Sequence, residues 1–343
     1  MDFAAYVDEW IDGMAKPPAS LGLMEQHVKK IFLAWGKMQP EIKPHHLVFA
    51  ADNGIVEEGV VNYPAEITYL QAKNMVAGKA TISCFCLCNQ IPYQVVDVGI
   101  KSEDAVGTDR KVAKGTKNFL KEAAMNEAEY NMALQAGREM VRLAVEAGHN
   151  LLSFGEMGIG NTTTSSAVLH ALSGMRPEFV VGYGAGCHNK DIVNRKRLVI
   201  ARGVEKHKAA MKNEADIIRC VGGFDIAALC GAMLECADLN TPFVIDGFIA
   251  AVAYVCAARL NQAVERFGIP SHLSREPGMI YALMLGNILT DEVPIRANMA
   301  LGEGTGALLM VGMLKTVLYT VMHAARMSDF GATVQAVSPP VAL

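Results

Sequence analysis

Asn150-Leu-Leu-Ser-Phe154 runs straight into Gly155-Glu156-Met157-Gly158-Ile159-Gly160-Asn161-Thr162-Thr163-Thr164, and this junction decides the fold class. A short, mostly apolar run that stops at glycines suits a strand buried on both faces. The helical stretch Ser165–Leu172 comes next, so the glycines form a strand-to-helix turn whose backbone N–H groups suit an anion. The pattern recurs outward from there. His46–Ala51, Tyr93–Val98, Phe179–Val181 and Pro242–Ile245 are further short apolar runs ending at a glycine or an acid. Helical patterns such as Ala123–Ala147 and Asp191–Lys212 separate them. Strands alternating with helices predict an α/β fold with a parallel sheet covered on both faces. Ligands of such sheets bind beyond the carboxyl ends of the strands. The sequence places Asp52-Asn53-Gly54, Asp97-Val98-Gly99, the Gly155–Gly158 turn, Gly182-Tyr183-Gly184 and Asp246-Gly247-Phe248 there.

The two ends differ from the middle. Residues 1–40 read as helical apart from a break at Lys16-Pro17-Pro18, Gly304–Met327 reads as one long helix, and Ser328–Leu343 as a weakly structured tail. The expected division is an α/β domain over residues 40–300 and a small helical domain built from 1–39 and 301–343.

Composition narrows the function. Hydrophobic residues are 51% of the 343 and charged residues 19%, enough to bury a core. A net charge of -4 gives no basic field for nucleic acid or anionic lipid, so a small-molecule partner is expected. The opening Met1–Trp10 has no basic, apolar leader. Charged or polar side chains interrupt the apolar stretches Pro242–Leu260 and Gly304–Met327, which read as buried elements rather than membrane spans. A cytoplasmic protein is expected. Cys84, Cys86 and Cys88 lie two apart on a helical pattern and so point to different faces. They read as core cysteines, and neither a metal nor a resident cofactor is expected.

Two glycine-flanked glutamates carry the chemistry. In Leu301-Gly302-Glu303-Gly304-Thr305-Gly306, a helix begins after a loop of glycines. Glu303 there is a general base or, on the plainer reading, a helix-capping acid. Glu156 lies in the quoted turn, where Asn161 and the threonines either hold a phosphate or merely cap a helix. That turn lacks the Gly-Lys-Ser/Thr of a phosphate-binding P-loop and the third glycine of a dinucleotide fingerprint, which weakens a nicotinamide oxidoreductase reading. Asp52, Asp97, Asp225 and Asp246 are weaker candidates for ribose contacts, since aspartates at strand ends more often satisfy local backbone. His45-His46 reads as structural.

Taken in order, the motifs closely resemble the nicotinate-nucleotide–dimethylbenzimidazole phosphoribosyltransferase family. They are Lys16–Gly22, Ala51–Gly59, Pro64 with Thr68 and Gln71, Gly155–Thr163, Val221–Asp225, Asp246–Phe248, Pro270–His272 and Leu301–Gly306. The resemblance implies a Rossmann-like domain with a small helical companion, and a dimer. It also implies transfer of ribose phosphate from nicotinate mononucleotide to the lower-ligand base of a cobamide, with inversion at the anomeric carbon. Glu303 matches the family's general base and Glu156 a second active-site glutamate. Gly158, Ile159, Gly160, Asn161, Thr162 and Gly184 are expected to hold the nucleotide, with Leu301 and Gly302 beside them. Tyr63, Pro64 and Gln71 are expected to line the base pocket.

Several positions depart from that pattern. Ala300 stands where an arginine is usual, Arg195 where a lysine is expected, Asn53 in place of a histidine, and Tyr63 in place of a small residue. Two sub-readings follow: an enzyme for an unusual lower ligand such as a phenol, or one subunit of a heterodimer with a paralogue. A catalytically silent supporting subunit is the rival from a different class. Homodimer and heterodimer both stay open.

Overall fold

The computed structural model describes residues 2–184 and 189–333. Six strands form one sheet: β1 (Pro44–Ala51), β2 (Tyr93–Gly99), β3 (Thr108–Asp109), β4 (Leu151–Met157), β5 (Phe243–Ile245) and β6 (Gly268–Pro270). Every pairing is parallel and the order is β3-β2-β1-β4-β5-β6, the order of a doubly wound Rossmann sheet. The helices are α1 (Phe3–Asp12), α2 (Leu23–Trp35), α3 (Ile67–Val76), α4 (Thr81–Cys88), α5 (Glu127–Glu146), α6 (Asn161–Ser173) and α7 (Pro177–Val180). They continue as α8 (Lys190–His207), α9 (Glu214–Val221), α10 (Phe224–Asp238), α11 (Phe248–Leu260), α12 (Gly278–Leu285) and α13 (Thr305–His323).

Side chains alternate across the sheet, and the two faces feed two separate cores. Leu47, Phe49, Ala51, Leu152 and Phe154 pack with α5, α6, α10 and α11. Val48, Ala50, Val95, Leu151 and Val244 pack with α1, α2, α4 and α13. The chain ends meet on this second face: Met14 pairs with Arg326, and the Trp10 indole N–H donates to the Val321 carbonyl at 3.1 Å. These end helices share a core with the strands they cover. Helix α13 is long and apolar enough to cross a membrane, yet it buries Leu308, Val311, Leu314 and Leu318 in this core.

Three expectations change. Phe179–Val181 is not a strand: Pro177 opens α7 there, and Phe179 faces solvent at 45% exposure. The end helix stops at His323, followed by a 3₁₀ segment Met327–Thr333; residues 334–343 of the expected tail lie outside the described residues. Of the three clustered cysteines on α4, Cys86 is buried whereas Cys84 and Cys88 are exposed, since positions two apart on a helix turn through about 200°.

The strand order reverses direction between β1 and β4. The loops leaving their carboxyl ends therefore diverge and open a crevice, and the glycine turn after β4 lies in it.

Candidate active site

A cavity of about 450 Å³ occupies this crevice, within the range of small-molecule sites. Its wall includes Glu156–Thr162 after β4, the loop Leu301–Glu303 before α13, Val61–Tyr63 with Ile67 and Gln71 of α3, and Asp246–Ala250 at the start of α11.

Glu303 is buried and sits in left-handed backbone, φ +62°, between Gly302 at +86° and Gly304 at +88°. Its carboxylate accepts from Gln71 Nε2 at 2.7 Å on Oε1 and from the Ile82 N–H at 3.2 Å on Oε2. Ile82 lies in the first turn of α4, so the glutamate meets the positive end of that helix rather than capping α13. The Gln71 amide is itself fixed, because its oxygen accepts from Asn74 Nδ2 at 3.2 Å.

Glu156 lies near the end of β4, fully enclosed. Burial first, then the Asp225 carboxylate, pushes its acid up to about 8, against the opposing hydrogen bond from Asn161. Asp225 is pushed up to about 6, also chiefly by burial. The Asn161 side-chain amide bridges the two, donating to Glu156 Oε2 and, at 3.0 Å, to Asp225 Oδ2. Asn161 is thus inside α6 and does not cap it; Gly160 holds the cap position.

The turn before α6 and the first residues of that helix form part of the wall. The Ile159 N–H donates to Thr68 Oγ1 at 3.0 Å, which pins the turn to α3. Lys196, on α8, is buried and donates to Thr162 Oγ1 at 3.0 Å. Glu276 accepts from the Gly184 N–H at 2.9 Å, and burial raises its acid above the ordinary carboxylate range. His272 and Ser274 complete the rim near Asp246. The Ser271 hydroxyl donates to the Asp246 carbonyl at 3.2 Å, so it takes the His272 Nδ1–H at 3.0 Å on its lone pair.

The structure brings together most of the residues expected from sequence: Glu303, Glu156, Gly158, Ile159, Gly160, Asn161, Thr162, Gly184, Leu301, Gly302, Tyr63 and Gln71 all line the cavity. Two do not. Pro64 is exposed and off the wall, and Arg195 is exposed with its guanidinium beside Gly59. The cation facing the cavity is Lys196, one residue on and so about 100° around the helix. Sequence reasoning missed Lys196 and Glu276. It had set Asp246 and Asp225 low; Asp97, by contrast, does satisfy local backbone, accepting from Gly99, Ile100 and Val106.

A helix N-terminus with Lys196 beside it on a Rossmann order suits an anionic ligand. A phosphoribosyltransferase family model matches residues 1–332. The chain belongs to that family. Among phosphoribosyltransferases it is similar to the nicotinate-nucleotide–dimethylbenzimidazole phosphoribosyltransferase of Clostridium perfringens, 42% identical over 86% of this chain and 82% of that protein. The Vibrio cholerae protein of the same name is 34% identical over 97% of this chain and 98% of its own length. The crystal structure of CobT from Thermus thermophilus superposes with a TM-score of 0.90 at 34% identity, covering 97% of this chain and 99% of that one.

Proposed function

We propose that this phosphoribosyltransferase moves the ribose 5-phosphate of nicotinate mononucleotide onto the lower-ligand base of a cobamide, giving the α-riboside phosphate and nicotinate. The observation that carries the reading is the Glu303 carboxylate, held by Gln71 and Ile82 at a cavity whose wall also offers a helix N-terminus and Lys196. The phosphate meets the α6 N-terminus and the Lys196 ammonium. The base lies beside Tyr63, Ile67 and Gln71, within reach of Glu303.

The steps follow from that placement. A ring nitrogen of the base attacks the anomeric carbon as the bond to the pyridine nitrogen breaks, and that bond's electron pair leaves with nicotinate. Attack on the opposite face inverts the β-glycoside to an α-glycoside. Glu303 takes the proton released by the incoming base. Glu156, held neutral by its burial, supplies an O–H donor rather than a second base. A phenol fits the same steps, because Glu303 can take a hydroxyl proton.

Ala300 lines the cavity and brings no charge there, but Lys196 does, which favours an active chain over a silent subunit. We also infer that the protein works as a dimer in the cytoplasm. Exposed Ile280 and Met284 on one face of α12, with Leu289 beyond them, support the dimer, and the free thiols of Cys84 and Cys88 suit a reducing compartment. In this reading residues 40–300 hold the nucleotide and base, while the described residues on either side of them cover one face of the sheet and carry Glu303.

The test is nicotinate release by the purified chain, given nicotinate mononucleotide with 5,6-dimethylbenzimidazole, adenine, phenol or p-cresol in turn. Base-dependent release identifies the acceptor. A folded chain that releases nothing with any of them, and gains activity only with a paralogous partner, would put the supporting-subunit reading in its place.

A further inference from the structure

Glu303 occupies a backbone state that side chains other than glycine's seldom adopt, and its neighbours on either side are left-handed as well. Such a conformation is strained and persists only where the surroundings enforce it. One side-chain hydrogen bond reaches the glutamate's own carbonyl: His46 Nε2–H donates to it at 3.1 Å.

His46 is fully buried in β1, on the sheet face that α13 covers. It is the register partner of Ser153 in β4, so the two side chains stand next to each other on that face. Because Nε2 must carry the hydrogen given to the Glu303 carbonyl, Nδ1 accepts from the Ser153 hydroxyl, at 2.8 Å. Burial holds the ring neutral by pushing its pKa down to about 4, leaving one proton and one tautomer. Gly155 and Gly304 complete the cradle. A methyl on the first would overlap the Glu303 carbonyl, and a methyl on the second would overlap the His46 ring.

We propose that His46, set in its tautomer by Ser153, is a positioning residue that fixes the backbone of Glu303 and so aims the carboxylate at the cavity. The aim follows from the backbone: with the carbonyl pinned, the side chain leaves toward Gln71 and the Ile82 N–H and away from the core. The histidine touches no substrate and carries no proton in the reaction.

The kinetic part of the test rests on the phosphoribosyl-transfer reading; the structural part does not. His46→Leu keeps most of the volume and loses the donor, whereas His46→Gln keeps an N–H near Nε2. For His46→Leu, kcat should fall roughly 10–100-fold, the usual result of misplacing a reacting group by about an ångström, with KM for nicotinate mononucleotide within about 3-fold. His46→Gln should recover to within about 5-fold of wild type, since the donor is restored. Without any substrate, hydrogen exchange at the Ile82 amide should speed up at least about 10-fold in His46→Leu and not in His46→Gln. A space-filling role alone predicts equal behaviour of leucine and glutamine, and that result in both measurements overturns the proposal. Unchanged Ile82 exchange in His46→Leu overturns it as well. If His46→Leu does not fold, Ser153→Ala serves, with faster Ile82 exchange as the supporting result and unchanged exchange as the opposing one. If the wild-type chain releases no nicotinate, the transfer reading fails while the exchange comparison still decides the positioning.

Discussion

Replacing Glu156 by glutamine should make the protein more stable at neutral and alkaline pH, and the difference should grow with pH. The acid is raised from 4.5 to about 8, first by burial and then by Asp225. A raised acid favours the folded state fully below the unfolded value, and that advantage is lost as pH climbs through the folded one. Each pH unit between the two values is worth about 1.4 kcal/mol, so the wild-type penalty is on the order of 3 kcal/mol at pH 7 and about 5 kcal/mol above pH 9. Glutamine is a neutral isostere that can still accept from Asn161, and it removes this titration. Urea or thermal unfolding of both proteins at pH 4, 7 and 9 measures the gap, which should be near zero at pH 4. Asp225 titrates over part of the same range, with a folded value of about 6, so the clearest signal is the rise in the gap between pH 7 and pH 9. A gap that stays constant from pH 4 to pH 9 would show that Glu156 is not held neutral, and with it the argument that it acts as a donor would fall.

Glu303→Gln should lower kcat for nicotinate release by roughly 10²–10⁴-fold, the range for a general base, with nucleotide binding by calorimetry nearly unchanged; intact turnover would make Glu303 a mere partner of the α4 N-terminus. Lys196→Met should weaken nicotinate mononucleotide binding by roughly 10–100-fold, the usual worth of a charge-assisted contact of about 1.5–3 kcal/mol, whereas Arg195→Met should leave it within about 2-fold; equal effects would undo the assignment of the phosphate cation. Gly155→Ala puts a methyl where the Glu303 carbonyl stands, and since both groups are backbone-borne, neither swings aside. Turnover should drop by at least about 10-fold, and a crystal structure should show the 302–304 loop displaced; full activity would mean the loop is freer than its hydrogen bonds indicate.

The fold was legible wherever a buried strand has mostly apolar, β-rich composition. β1, β2, β4 and β5 each announce themselves as a predominantly apolar run ending at a glycine or an acid. β3 is two residues, and β6 is Gly268-Ile-Pro270, a triplet with neither period nor β-rich composition. Phe179-Val180-Val181 misled for the opposite reason. It has strand composition, but Arg176 in extended backbone and Pro177 at the first helical position nucleate a short turn instead. The site divides along similar lines. Residues in glycine-rich turns could be found because the turns mark themselves, whereas Asn189-Lys-Asp-Ile-Val-Asn-Arg-Lys-Arg197 offers three neighbouring cations, and only the helix phase set by Val193, Val199 and Ile200 in the core says that Lys196 faces inward. Glu276 carries no signal at all. It arrives at the site because the loop before α12 folds back on Gly184, a contact 92 residues apart in sequence.

The two glutamates look alike in sequence, each flanked by a glycine and each followed by a helix, yet the structure gives them different surroundings. Glu156 receives one amide donor from Asn161 and must share that donor with a second carboxylate in a fully buried corner. Asp225 also takes the Ile226 N–H, whereas burial first and then the Asp225 charge push the Glu156 acid up to about 8. Glu303 receives a separate donor on each oxygen, one of them from a helix N-terminus, and no other carboxylate competes for either. What separates the two sites is thus the supply of donors, and the supply is set by backbone: by the turn that places Asn161 within α6, and by the left-handed loop that carries Glu303 to α4.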